Sequence, residues 1–215
     1  MAEKKFCRKE AISFGWQAMK SNLWFFVGIM ITSGLIVYIP AIISKMTEKT
    51  HPAVSISTNI ISTILNMIIS LGLMKIALKF CDNQNSVFSD LFSYVRFFFK
   101  YLLSSLLYGI IVTAGIILLV VPGIIWGIKF QFFGYFIVDQ GAGPIEALRK
   151  SWAITTGIKW DLFILDILLI LINVLGVLAL LVGLFAALPT TMVASAFVYR
   201  KLSAQADMVQ APAAN

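Results

Sequence analysis

The chain has 215 residues, 60% of them hydrophobic and 13% charged, with a formal net charge of +7 and a mean hydropathy of +0.91. So apolar a composition excludes a soluble domain, and the length leaves no room for one beside a membrane part, so a single integral membrane domain over 1–202 is expected. The basic excess does not make a nucleic-acid-binding face, because the lysines and arginines stand at the ends of apolar runs and do not cluster into a groove.

Lys4, Lys5, Arg8 and Lys9 open the chain like a signal peptide. The apolar stretch after them is too long and ends in no small-residue cleavage site, so it reads as a retained first span. Before it, Ile12, Trp16, Met19 and Leu23 fall at helical spacing beside Lys20, the pattern of a helix lying in the membrane interface. Hydrocarbon about 30 Å thick needs roughly 20 apolar residues. The runs 22–44, 54–74, 101–121 and 160–181 reach that length, and the shorter 124–138 and 184–199 are counted as spans that tilt little or are shielded by other helices.

Two more amphipathic stripes precede spans: Val87, Leu91, Tyr94 and Phe98, then Ile145, Leu148 and Trp152. Glu10-Ala11-Ile12, Trp16 and Trp24 reappear as Glu146-Ala147-Leu148, Trp152 and Trp160 at one constant offset, which reads as a parallel internal repeat. Continuous aliphatic runs keep their backbone hydrogen bonds inside each segment only as helices, and the alternation of a membrane β-barrel is missing. The expected fold class is therefore all-α: a polytopic helical membrane protein with six transmembrane helices, arranged as three hairpins each preceded by an interfacial amphipathic helix. The stretch 203–215 is small and polar and is expected to be a disordered cytoplasmic tail.

Placing the N-terminus inside leaves only Lys45 and Lys49 on the outer side, with the other span-flanking basic residues, from Lys20 through Lys201, on the cytoplasmic side. Both termini are then cytoplasmic. Cys7 and Cys81 fall on that same side without a CxxC or His-rich context, so no disulfide framework is implied.

Pro122-Gly123-Ile124, Lys129, Val138-Asp139-Gln140-Gly141, Pro144-Ile145-Glu146-Ala147-Leu148 through Ser151-Trp152, and Tyr199-Arg200-Lys201-Leu202 carry a resemblance over the C-terminal half. In these residues the chain resembles a family of bacterial integral membrane proteins of largely unknown function, related to the membrane domain attached to some glycerophosphoryl diester phosphodiesterases. The resemblance implies the bacterial cytoplasmic (inner) membrane and brings no catalytic residues to transfer. The soluble barrel that accompanies some relatives has no counterpart here.

Few polar side chains lie at depth. Asp166 is expected about 9 Å beyond Trp160, and Lys129 about 13 Å from Val138, on a continuous helical rise. The two depths are close enough for an ion pair, which would spare each charge the roughly 2.5 to 3.5 kcal/mol that it costs alone at a helix centre. Two readings of that pair follow. It pins two hairpins together, or Lys129, Gln131, Asp166 and Asn173 line a polar cavity that binds an anionic headgroup or relays protons. Pro122-Gly123 and Pro189 interrupt or shorten the second helices of their hairpins; broken helices are one pointer to a transport site, and the favoured reading is a tight turn and a kink. His51, the only histidine, has no partner at ligand spacing, so neither a metal nor another cofactor is expected. Asn173 reads as a hydrogen bond to a neighbouring helix, and Gly72, Gly109, Gly115 and Gly176 as points of close helix contact.

No nucleophile elbow, phosphate loop or zincin motif is present, so the expectation is a protein that is not an enzyme. An accessory, membrane-organising or lipid-binding role leads, with membrane lipids and another membrane protein as partners. A small transporter or channel using Lys129 and Asp166 is the alternative.

Overall fold

The computed structural model describes residues 6–179 and 182–210. Lys4, Lys5, the end of the run 160–181 and the stretch 211–215 lie outside them. The described chain is helical throughout and contains no strand. In order it forms α1 (Arg8–Ser21), α2 (Leu23–Thr47), α3 (Pro52–Cys81), two 3₁₀ turns (Phe88–Leu91 and Val95–Phe97), α4 (Phe98–Leu118), α5 (Val120–Phe130), α6 (Phe133–Gln140), α7 (Pro144–Thr155), α8 (Lys159–Leu178) and α9 (Leu184–Gln210).

Five stretches are long and apolar enough to cross a membrane: Leu23–Thr47, Pro52–Cys81, Phe88–Leu118, Val120–Gln140 and Lys159–Leu178. Their outward faces remain apolar, with Ile117, Leu118, Leu178 and Trp24 all at least 70% exposed. In a chain this size such a surface marks a membrane-embedded protein.

The expected run 184–199 belongs to α9, which does not meet that measure of length and hydropathy. The cause is its position. α9 packs against α1, α2, α3, α7 and α8, and Val193, Ala194, Ala196, Val198, Tyr199 and Leu202 are wholly buried. A helix covered by protein does not need a lipid-compatible surface, so Thr190, Thr191, Ser195 and Arg200 are accommodated there. α9 also runs on through 203–210, where a disordered tail was expected, with Ser203 buried beside Leu202.

The three amphipathic stripes fare differently. α1 forms as expected, but its buried face is Ala11, Gly15 and Met19, while Trp16 and Leu23 stay exposed. The small side of that face, Ala11 and Gly15, lets α1 lie antiparallel along α9. Lys201 Nζ reaches Glu10 at 2.7 Å, the Phe14 and Phe197 rings stack at 4.8 Å, and Gly15 sits against the Thr190 carbonyl, where a Cβ would collide. The second stripe is not an α-helix. It folds as the two 3₁₀ turns, held because Asp90 pairs with Lys79 at 2.7 Å and accepts from the Val87 N–H at 2.8 Å. The third forms α7, with Leu148 buried and Ile145 66% exposed.

Two local breaks differ from the continuous helices expected. Pro122-Gly123 lies inside the first turns of α5, and the reversal falls at Leu119, whose backbone is extended. The stretch beyond it then breaks at Gln131 and Phe132, between α5 and α6. α6 ends on Gly141 at φ +64, a left-handed residue that glycine adopts without strain. Pro144 then opens α7 at a position where its missing N–H costs nothing.

Candidate functional site

The break after Phe130 decides where the expected site residues go. The sequence expectation places Lys129 deep beside Asp166. Instead its side chain turns toward α7 and the first turn of α8. The Lys129 ammonium lies 3.5 Å from the centroid of the Trp152 ring, and its charged neighbour is Lys159. Among the described residues no carboxylate comes within ion-pair distance of Lys129. The expected Lys129–Asp166 pair is therefore not formed.

Asp166 projects from α8 into a different space. It lines an open crevice of about 560 Å³ with Ser70 of α3, Tyr135 of α6, Asn173 of α8, and Thr191 and Ser195 of α9. Apolar walls from Met30, Met74 and Leu169 complete it. Asn173 and Thr191 face each other at 3.4 Å across the α8–α9 contact, so the expected interhelical role of Asn173 is present. Gln131 lies beside Asp166, yet its buried Nε2 completes no hydrogen bond. Of the four residues, the structure brings Asp166 and Asn173 into one cavity, leaves Gln131 at the helix break, and puts Lys129 elsewhere.

That division changes the chemistry available. A lone carboxylate among hydroxyl and amide oxygens suits a hydrogen-bond donor or a single positive charge. No lysine or arginine lines the crevice, so an anionic headgroup has no counter-charge there. A second, smaller groove of about 280 Å³ adjoins it, lined by Ser62, Thr63, Asn66, Ser70, Tyr101 and Ser105. Ser70 lines both.

The residues that sequence reasoning missed sit at the basic end of the bundle. Arg200 of α9 donates to Asp139 of α6 at 2.7 Å and to Asp82, just beyond α3, at 2.6 Å. The Tyr199 hydroxyl donates to the same Asp139 oxygen at 2.9 Å. Burial alone lowers the guanidinium's pKa, but Asp139 and Asp82 outweigh it and hold it above its ordinary value. Lys100 of α4 caps this region by donating to the Gly141 carbonyl at 2.6 Å. Asp139 and Arg200 were legible only as parts of sequence motifs, since nothing local reveals that residues 61 apart meet.

Among the described residues no group of histidine, cysteine, aspartate and glutamate is arranged to hold a metal ion. Cys7 and Cys81 are both free thiols.

A family described as a protein of unknown function (DUF975) matches the chain over residues 108–206, from the middle of α4 into the last turns of α9. Both the crevice's α8–α9 wall and the Asp139–Arg200 pair fall inside the match. Nothing in it links the chain to the glycerophosphoryl diester phosphodiesterases. No curated protein and no solved structure matches the chain.

Proposed function

We propose that this chain is a non-enzymatic, multi-pass protein of the bacterial inner membrane that binds a membrane lipid and assists another membrane protein. The crevice at Asp166 is the observation that carries this reading. Polar side chains at depth are expensive in a membrane, and here those of α3, α6, α8 and α9 converge on one open space. A cavity of about 560 Å³ lies within the size range of ligand sites. Its carboxylate and hydroxyls suit the amine of a zwitterionic headgroup.

On this reading α9 is the sixth span, both termini are cytoplasmic, and the bundle is three related units. The repeat is supported by matching burial at the sequence-aligned positions. Ala11 and Ala147 are wholly buried, Met19 and Thr155 are buried, and Trp24 and Trp160 are exposed. Each unit's leading element also packs on the second helix of a neighbouring hairpin: α1 on α9, the first 3₁₀ turn on α3, and α7 on α5.

Native mass spectrometry of the full chain extracted with its lipids tests the reading. A stoichiometric amine-bearing lipid, lost in Asp166→Asn, is the expected result. A bare protein, or an unchanged lipid in the variant, overturns it.

A small transporter is the second reading, favoured by the shared Ser70. Through it the crevice's polar lining continues into the groove along Asn66 and Ser62. Flux of an amine or monovalent cation in proteoliposomes, abolished by Asp166→Asn, distinguishes transport from binding alone.

A further inference from the structure

α5 and α8 leave a groove of about 190 Å³ between them, lined by none of the residues that line the crevice. Its walls are Ile124, Ile125 and Ile128 of α5 and Phe163 of α8, and its lining is entirely apolar. Lys159 and Trp160, the first residues of α8, also line it, Lys159 through the carbons of its side chain. Lys129, next to Ile128, stands outside the lining with its ammonium over the Trp152 ring, close enough for the Lys159 charge to act on it.

The two lysines are each other's charged neighbours, and among the described residues neither has a carboxylate within ion-pair distance. Asp161, the acid nearest in sequence, turns instead to Arg8 at 3.8 Å. Lys129 is held in place by the Trp152 ring beneath it, a contact that fixes the ammonium without neutralising it. Two uncompensated like charges repel, and the arrangement is relieved by an anion placed between them.

We propose that this groove binds an anionic glycerophospholipid, its phosphate between Lys129 and Lys159 and one acyl chain along Ile124, Ile125, Ile128 and Phe163. Charge complementarity selects the headgroup. The apolar walls select a lipid over a soluble anion, because a free phosphate gains nothing from them. Position agrees: Ile124 is 45% and Trp160 67% exposed on the bundle's apolar surface, where lipid tails have access. Basic ends of grooves between membrane helices are a recurring way to hold such headgroups, and an indole at Trp160 suits the headgroup level. The site is separate from the crevice and takes a ligand of opposite charge.

The test uses the full purified chain in detergent, offered phosphatidylglycerol or phosphatidylcholine in turn, with bound lipid counted by native mass spectrometry. The wild type is expected to retain one phosphatidylglycerol per chain with a preference of about thirtyfold, at the strength typical of two surface lysines. The double variant Lys129→Gln with Lys159→Gln is expected to lose that preference, and Lys129→Arg with Lys159→Arg to keep it. Ile125→Trp, which fills the groove and leaves both lysines, is expected to lose the lipid as well, so a misfolded glutamine variant does not decide the matter. No preference in the wild type, an unchanged preference in the glutamine variant, or retention in Ile125→Trp overturns the proposal. Displacement of the lipid by glycerol phosphate at equal concentration also overturns it, since the site would then be one for a soluble anion.

Discussion

The Ser151 hydroxyl donates to the Lys129 carbonyl at 2.9 Å, and its oxygen accepts from the Phe132 N–H at 3.1 Å. Both backbone groups are left over where α5 stops and α6 starts, and Thr155 adds a further hydrogen bond to the same carbonyl at 3.0 Å. One buried side chain thus satisfies a helix break that would otherwise strand a donor and weaken an acceptor's partnership. Ser151→Ala is expected to destabilise the bundle by about 1–3 kcal/mol, the cost of orphaning a buried polar group. Thr156→Ala, which removes an exposed hydroxyl bonded only within α7, is expected to change little. Thermal unfolding in detergent separates the two.

Gly15→Ala sets a methyl against the Thr190 carbonyl, with backbone on both sides and no flexible chain to yield. A loss of about 1–3 kcal/mol is expected, as for overpacked cores. Gly109→Ala is the control. Read from sequence as a point of close contact, Gly109 has nothing within 4 Å of an added Cβ. There alanine is expected to gain about 0.5–1 kcal/mol through helix propensity. Melting temperatures moving in opposite directions would bear this out.

Arg200 and Asp139 are expected to behave as a coupled pair. Arg200→Gln or Asp139→Asn alone leaves a partly buried charge, and the double variant recovers part of the loss, with a coupling of about 1–3 kcal/mol in a double-mutant cycle. Asp82→Asn is expected to cost less, because the Asp82 side chain is 31% exposed against 16% for Asp139. An additive cycle would contradict the arrangement at the basic end.

Glu146 gives a pH dependence of defined sign. Its hydrogen bond with Lys150, then that from the Gly143 N–H, holds its pKa below the ordinary 4.5. A carboxylate depressed on folding contributes stability above its unfolded value and loses it as pH falls through the lower folded value. The wild type is therefore expected to melt above Glu146→Gln at pH 6, and the gap to close on acidification below about 4.5. A gap that widens toward acid would refute the assignment.

The apolar runs were legible because lipid imposes one rule on every residue that faces it. α9 shows where that rule stops: a helix surrounded by protein is free to carry Thr190, Thr191 and Ser195, so its hydropathy understates its burial. The same limit explains α1. Ile12, Trp16 and Leu23 make the visible stripe, but helix packing is set by where backbones come close, and that is Gly15. The site was half legible. Asp166 and Asn173 are separated by two turns of one helix, so spacing alone placed them together. Lys129 was misplaced because its depth was reckoned along a helix that breaks two residues later, and the break depends on Ser151, nineteen residues on.

The pairing of α1 with α9 also has a bearing on biosynthesis. During translation α1 emerges well before the surface it covers, so Ala11, Gly15 and Met19 remain without their partner while every intervening helix inserts. The α1–α9 contact forms only once residues around Lys201 have left the ribosome, so the pairing waits for the synthesis of α9. Chains stalled before α9 should keep their early helices in the bilayer with α1 still open to proteases, a difference that arrested nascent chains of graded length would reveal.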